Sequence, residues 1–152
     1  MLTGRVAAQY KDLYKVNVAG RELIAEISGK LRYVADLPAD YPVVGDFVVL
    51  DREESQSGNA IIHHVLPRKS LFVRKAAGTA HEVQPVAANI DSVLICMALN
   101  HDFNLRRLER YLSIAWDSGA TPVVVLTKSD LCDDLAAKLS EINKIALGVD
   151  VL

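Results

Sequence analysis

Apolar and polar positions alternate with a period of two through most of residues 1–66, and Gly and Asp punctuate the alternation. Val6, Ala8 and Tyr10 face one way, and a Lys11-Asp12 turn leads into Leu13 to Val18. Ala19-Gly20 turns the chain into Glu22 to Ile27. Gly45-Asp46 introduces Phe47 to Leu50, and Ser57-Gly58-Asn59 introduces Ala60 to Leu66. Period-two runs of this length predict half-buried strands. Five of them in so short a stretch predict a small closed barrel, with the OB-fold favoured. An SH3-like barrel fits the pattern nearly as well. Pro67 closes the region, and residues 67–90 show little periodicity and read as a linker.

The rhythm then changes. Ser92 to Ala98 is a continuous apolar run, as expected for a strand buried on both faces. Asn104 can cap a helix whose stripe is Leu105, Leu108, Leu112, Ala115 and Trp116, with Gly119 as its stop. Pro122 to Leu126 predicts a second buried strand. Asp133 or Asp134 can cap another helix with Leu135, Leu139, Ile142 and Ala146 inward and Gly148 at its end. Val149 to Leu152 opens a third strand. The order β-α-β-α-β over residues 91–152 predicts a parallel, doubly wound sheet. Three strands and two helices are half of a usual nucleotide-binding sheet, so the sequence reads as a fragment. The fold class is therefore multidomain, β followed by α/β.

Composition narrows the setting. Of the 152 residues 51% are hydrophobic and 24% charged, enough apolar material for a core. No apolar run reaches the roughly 20 residues of a membrane helix, so no membrane partner and a cytoplasmic location are expected. Cys96 and Cys132 lie in or beside apolar segments and read as buried thiols. The net charge of −2 argues against a generally basic nucleic-acid binder. Its distribution is uneven: 11 Lys+Arg against 9 Asp+Glu over residues 1–75, and 6 against 10 over 76–152. The basic excess gathers at Arg68, Lys69, Arg74 and Lys75, a run that can meet RNA phosphates or serve as a solvated linker.

The tetrapeptide Thr127-Lys128-Ser129-Asp130 follows a buried parallel strand and precedes a helix, where open α/β sheets place ligands. A carboxylate there can accept two hydrogen bonds from the N1–H and N2–H₂ edge of guanine, a pair adenine does not offer. The Lys128 stem can lie along the base. The bland alternative makes Asp130 a helix cap. Other candidates carry less. His63 and His64 are adjacent on a strand, point to opposite faces and cannot easily share a metal. His81 reads as a linker histidine, and His101 with Asp102 as a strand-end capping loop. Arg106, Arg107 and Arg110 read as solvated on an exposed helix face, and Trp116 as core.

Three segments carry a longer likeness. They are Ala87-Ala88-Asn89-Ile90-Asp91, the run Asn100-His101-Asp102-Phe103-Asn104-Leu105-Arg106-Arg107-Leu108-Glu109-Arg110-Tyr111-Leu112, and Val123 to Asp130. With the Gly45-Asp46-Phe47-Val48 turn and the Pro67-Arg68-Lys69-Ser70 boundary, the chain resembles the ribosome small-subunit-dependent GTPase family, RsgA. Thr127 to Asp130 is similar to that family's guanine-specificity motif, with Thr127 where many GTPases have Asn. The resemblance implies an OB-fold, a circularly permuted P-loop GTPase domain and a C-terminal zinc domain. It implies GTP/GDP with Mg²⁺ as the nucleotide, Zn²⁺ in the last domain, and GTP hydrolysis stimulated by the small ribosomal subunit late in its maturation. The implied partners are that subunit and its rRNA, with the protein itself expected to be a monomer.

Permutation places the guanine motif before the phosphate loop, and no Gly-x-x-x-x-Gly-Lys-Ser/Thr run occurs in the 152 residues. Ser28-Gly29-Lys30-Leu31 imitates its end, but Ile24 replaces the first Gly and Leu31 the magnesium-binding hydroxyl. These residues alone therefore hold no catalytic or metal-binding set and are expected not to hydrolyse GTP. The rival reading is a non-enzymatic OB-fold module that binds RNA or protein.

Overall fold

A computed structural model describes residues 1–54, 56–75 and 83–152, in two compact units, Met1–Ile90 and Asp91–Leu152. His81 lies outside the described residues.

The first unit is built on a closed barrel of five strands: β1 (Leu2–Gln9), β2 (Tyr14–Val18), β3 (Arg21–Ile27), β4 (Phe47–Leu50) and β5 (Ala60–Val65). Their order around the barrel is β1-β2-β3-β5-β4, and β4 pairs back onto β1. All neighbours are antiparallel except β3 and β5, the parallel contact that makes this a Greek-key OB barrel. The period-two positions Val6, Val16, Val18, Leu23, Ala25, Val48, Leu50 and Ile62 are buried together as its core. Between β2 and β3 the two turn residues Ala19 and Gly20 both have positive φ, 50° and 84°. That backbone matches the twist of the flanking strands and fixes the register Val18↔Arg21. A six-residue helix, α1 (Gly29–Val34), joins β3 towards β4. Ser28 caps it, its Oγ accepting from the Leu31 amide at 3.0 Å. The segment that imitates a phosphate loop is thus an ordinary helix start.

The stretch 67–90, expected as a linker, instead contains two paired antiparallel strands, β6 (Leu71–Lys75) and β7 (Val83–Ala88). Their pattern was illegible because Pro85 sits inside one strand and the register shifts between Phe72 and Val73. What holds the hairpin is backbone docking. Val44 forms a bridge to Ala87, and the Ala88 amide donates to the Val44 carbonyl at 2.8 Å. Gly45, at φ +91°, lies so close that a Cβ would stand 2.0 Å from the Ala88 oxygen. No other residue fits there. Arg5 Nη2 donates to the Asn89 carbonyl at 3.1 Å, and Asn89 Nδ2 donates to the Gly45 carbonyl at 3.1 Å.

Beneath this junction lies Asp46, fully buried. Arg68 grips it with a fork: Nε to Oδ1 and Nη2 to Oδ2, both at 2.7 Å. The same guanidinium donates to the carbonyls of Ala39 and Tyr41, and the Val43 amide donates to Asp46 Oδ2 at 2.8 Å.

The second unit is a parallel sheet in the order β10-β9-β8, from β8 (Ser92–Ala98), β9 (Thr121–Thr127) and β10 (Asp150–Val151). The connections are α2 (Leu105–Asp117), capped by Asn104, and α3 (Leu135–Ile145), capped by Asp134. Leu108, Leu112 and Ala115 bury the inner stripe of α2. Three expectations fail, the first at Leu135, placed on the inner stripe of α3 but 41% exposed. Trp116 is 51% exposed, at the edge of that stripe. Strand β8 is buried on one face only: Ile95 and Met97 are covered, whereas Leu94 is 65% exposed and Cys96 is an exposed thiol. Both helices connect strands of one sheet, and α2 packs on β8 and β9. Among the described residues no element covers the Leu94 side.

Removing Arg68 strands a buried carboxylate, which typically costs about 3–5 kcal/mol. Arg68→Ala is therefore expected to lower stability by that order in urea unfolding followed by circular dichroism. Arg68→Lys should recover only part of it, because one ammonium cannot reproduce the fork. A loss under about 1 kcal/mol in Arg68→Ala shows the pair to be incidental.

Candidate functional site

Thr127 is the last residue of β9, paired with Ala98 of β8, and its carbonyl accepts from the Leu99 amide at 2.9 Å. Lys128 then adopts the left-handed conformation, φ 57° and ψ 38°, which turns the chain out of the sheet. Ser129–Leu131 form a single 3-10 turn, closed by the Leu131 amide on the Lys128 carbonyl at 3.0 Å. Lys128, Ser129 and Asp130 are all exposed there, and Thr127 is half-buried. The tetrapeptide is one compact turn at the carboxyl edge of the sheet.

The Asp130 carboxylate has no hydrogen-bond or ion-pair partner among the described residues, and it caps no α-helix. That role belongs to Asp134, whose Oδ1 accepts from the Ala137 amide at 3.3 Å. An exposed, unengaged carboxylate at a strand end fits the two-donor edge of guanine. The described residues contain no group of three or more His, Cys, Asp or Glu arranged to hold a metal.

A second loop stands beside the turn. Residues 99–104 leave β8 and are tightly held: Asn100 Oδ1 accepts from the Asp102 amide at 3.0 Å, and Arg107 Nη2 donates to the Asp102 carbonyl at 2.7 Å. Arg107, read as solvated, is thus a half-buried loop brace; Arg106 and Arg110 are exposed as expected. Lys138, from α3, donates to the Leu99 carbonyl at 2.8 Å and lies 5.0 Å from the centre of the Phe103 ring. Between the loop and the segment 131–134 opens a cleft of about 550 Å³, with His101 and Asn100 on one side and Leu131 and Asp133 on the other. Nothing in the sequence singled out Lys138, because one lysine on a helix carries no periodic signal.

The basic run does not assemble in space. Arg68 is engaged inside the first unit, its side chain 16% exposed, so it offers little to a phosphate. The Lys69 amide donates to Asn89 Oδ1 at 2.7 Å, fixing the start of the hairpin. Arg74 donates to Gln84 across the β6–β7 pair at 3.1 Å, and Lys75, next along the strand, points to the other face.

Other cations of the first unit are also engaged. Lys15 and Arg21 face Glu22 and Glu54 at 3.4 and 3.8 Å, and Arg52 holds Asp51 at 2.7 Å. The Arg52 hydrogen bond is the main reason the Asp51 carboxyl is lowered to about 2.

Among the described residues of this unit, Lys11, Lys30, Arg32 and Lys75 engage no carboxylate or carbonyl. Three of the four share one end of the barrel. The β1–β2 turn and the exit of β3 lie together, since Tyr14 pairs with both Gln9 and Ala25. Burial chiefly raises the Tyr14 pKa and Tyr41 adds to it, while Arg32 opposes, which places Arg32 within electrostatic reach of that turn. Tyr33 beside it is 89% exposed, and Tyr10 is exposed too. The signal was available in Tyr10-Lys11 and in Lys30, Arg32 and Tyr33, but it is split between two distant segments.

A closed five-stranded barrel followed by a three-stranded parallel sheet, with the Thr127–Asp130 turn at the carboxyl edge of that sheet, defines a chain of an OB-like unit and an α/β unit. The RsgA GTPase family model matches residues 65–152. Over 151 residues the chain is 47% identical to a Lactiplantibacillus plantarum protein named small ribosomal subunit biogenesis GTPase RsgA 2, covering 99% of this chain and 42% of the relative. The crystal structure of YjeQ from Thermotoga maritima aligns with a TM-score of 0.70 at 22% identity, over 99% of this chain and 50% of that one. That of YloQ, described as a circularly permuted GTPase, aligns at 0.67 and 20% identity with the same coverage. These two likenesses concern the fold. The chain belongs to the RsgA GTPase family, and it spans about two fifths of the length of the relative it matches.

If Asp134 caps α3 and Asp130 does not, the two substitutions separate. Asp134→Ala should cost roughly 1 kcal/mol of stability, whereas Asp130→Ala should stay within about 0.5 kcal/mol of the parent. Urea titrations of the two variants decide it; an equal loss returns Asp130 to a structural role.

Proposed function

We propose that this chain is the guanine-selecting and RNA-facing portion of a GTPase acting in small-subunit biogenesis. The observation that carries the reading is the Asp130 carboxylate, exposed, without a partner and held in the turn that ends β9. It accepts N1–H and N2–H₂ of guanine, and the Lys128 stem lies along the base. Thr127, in place of the commoner Asn, contributes a hydroxyl that can do less for the loop, so affinity depends more on Asp130. Phosphate binding, Mg²⁺ and hydrolysis require residues these 152 do not contain, because phosphoryl transfer needs a phosphate cradle and a metal to stabilise charge. The zinc domain implied by the family is likewise assigned outside this segment. The setting is the cytoplasm, where the small subunit and its rRNA are the partners and the subunit stimulates hydrolysis late in maturation.

A chimera tests guanine selection: this chain joined to the residues beyond the matched region of the Lactiplantibacillus plantarum relative. Charge-assisted hydrogen bonds contribute roughly 1.5–3 kcal/mol each. Losing two in Asp130→Ala should weaken guanosine diphosphate binding about a hundred- to several-thousand-fold. In Asp130→Asn the amide both accepts from N1–H and donates to the C2 carbonyl of xanthine, so that variant should prefer xanthosine diphosphate. Equal guanosine affinity in parent and Asp130→Asn, by fluorescent-nucleotide titration, sinks the assignment.

The RNA reading moves from the 68–75 run towards the end of the barrel carrying Lys11, Lys30, Arg32 and Tyr33. Unengaged cations can displace counterions, and an exposed ring can stack on an unpaired base. Replacing Lys11, Lys30 and Arg32 together by Ala should flatten the slope of log K against log salt for rRNA by about 2, at roughly 0.7–0.9 per phosphate contact. Replacing Lys69, Arg74 and Lys75 should flatten it less. The reverse order, or no change in either variant, refutes the placement.

A further inference from the structure

We propose that Lys138 is a positioning residue for the guanine-reading turn, acting through Leu99; the proposal rests on the reading of Asp130 given above. The turn runs from Thr127, where β9 ends, to Asp134, where α3 is capped. Its entrance is tied by the Leu99 amide, which donates to the Thr127 carbonyl at 2.9 Å. Its exit is tied by Lys138, in the first turn of α3, whose ammonium donates to the Leu99 carbonyl at 2.8 Å. One fully buried residue therefore anchors both feet of the segment that carries Asp130. The Phe103 ring, 5.0 Å from the Lys138 ammonium, supplies a second attraction that keeps the lysine in place.

A segment fixed at both ends loses conformational freedom before ligand arrives, and that preorganisation is realised as affinity and selectivity. The contact is not a generic property of helix lysines. Lys144, further along α3, is exposed and engages no partner among the described residues. The role of Lys138 is indirect, since its ammonium touches neither Asp130 nor Lys128 in the structure. It acts by setting the span the turn must bridge.

Lys138→Met keeps the stem and a good helix former while removing the ammonium. In the 152-residue chain, amide hydrogen exchange at Leu131 and Cys132, which close the 3-10 turn, should accelerate about tenfold, equivalent to about 1.4 kcal/mol. The Ala146 amide at the far end of α3 should be unaffected, and Lys138→Arg should restore slow exchange. In the chimera, the preference for guanosine over adenosine diphosphate should fall by about tenfold in Lys138→Met and recover in Lys138→Arg. Unchanged exchange overturns the proposal. So does faster exchange with an unchanged nucleotide preference, which reduces Lys138 to a structural contact. A parent chimera that does not distinguish the two nucleotides overturns the reading of Asp130 instead, and the role of Lys138 falls with it.

Discussion

Burying the Asp46 carboxylate is the constraint around which the first unit is arranged. A lone carboxylate in an apolar interior is prohibitively unfavourable, so it needs a partner that neutralises it and saturates its oxygens. Arg68 supplies both through two parallel hydrogen bonds, and the Val43 amide takes a third position. That partner arrives from beyond β5, so satisfying Asp46 draws the chain after Pro67 back across the barrel towards the 38–41 segment. There the remaining guanidinium donors satisfy the Ala39 and Tyr41 carbonyls. Once Arg68 is placed, Ser70 and Asn89 are near enough to bond, and β6 and β7 dock beside Gly45.

The same constraint explains why a basic run in sequence is not a basic patch in space. Arg68 is drawn inward by a charge 22 positions earlier, leaving its neighbours on a hairpin whose alternation separates Arg74 from Lys75. Available positive charge is decided by which acids each cation meets. Lys15, Arg21 and Arg52 are each matched with a carboxylate, whereas Lys11, Lys30 and Arg32 are not. Surface pairs are individually weak. Their effect here is on distribution, because they leave Lys11, Lys30 and Arg32 without a carboxylate partner among the described residues.

Legibility followed the physics of each element. The barrel strands were readable because one face of each is buried, which writes period two directly into the sequence. The start of α2 was readable from Asn104, and that of α3 from the Asp133-Asp134 pair, because a cap is a local side-chain event. The strand pair β6 and β7 was not, because it is held by backbone contacts with Gly45 and Val44, which leave no side-chain rhythm. The apolar run of β8 correctly signals a parallel strand, but it records the composition of both faces and not their burial: Leu94 is apolar and exposed. The turn at Thr127 to Asp130 could be singled out because the chemistry proposed for it lies in adjacent residues. Lys138, Leu99 and Phe103 converge from separate elements, and no window of sequence contains them.

The left-handed conformation of Lys128 bears on how that turn is used. A non-glycine residue held there costs on the order of 1–2 kcal/mol, and glycine would relieve it. Glycine would also remove the long apolar stem that can lie along a base and the ammonium at its tip. The Lys128 side chain has no hydrogen-bond partner among the described residues, so the strain is carried by the backbone, whose carbonyl closes the 3-10 turn. The surrounding contacts support that conformation: Thr127 is fixed by Leu99 before it, and Leu131 bonds back to the Lys128 carbonyl after it. A turn tied on both sides fixes the backbone at Asp130, while the carboxylate itself, exposed and without a partner among the described residues, keeps its rotamer freedom until a ligand engages it. Any ligand bound there must offset the side-chain freedom it removes, so what the turn contributes beforehand is a fixed backbone and not a fixed carboxylate.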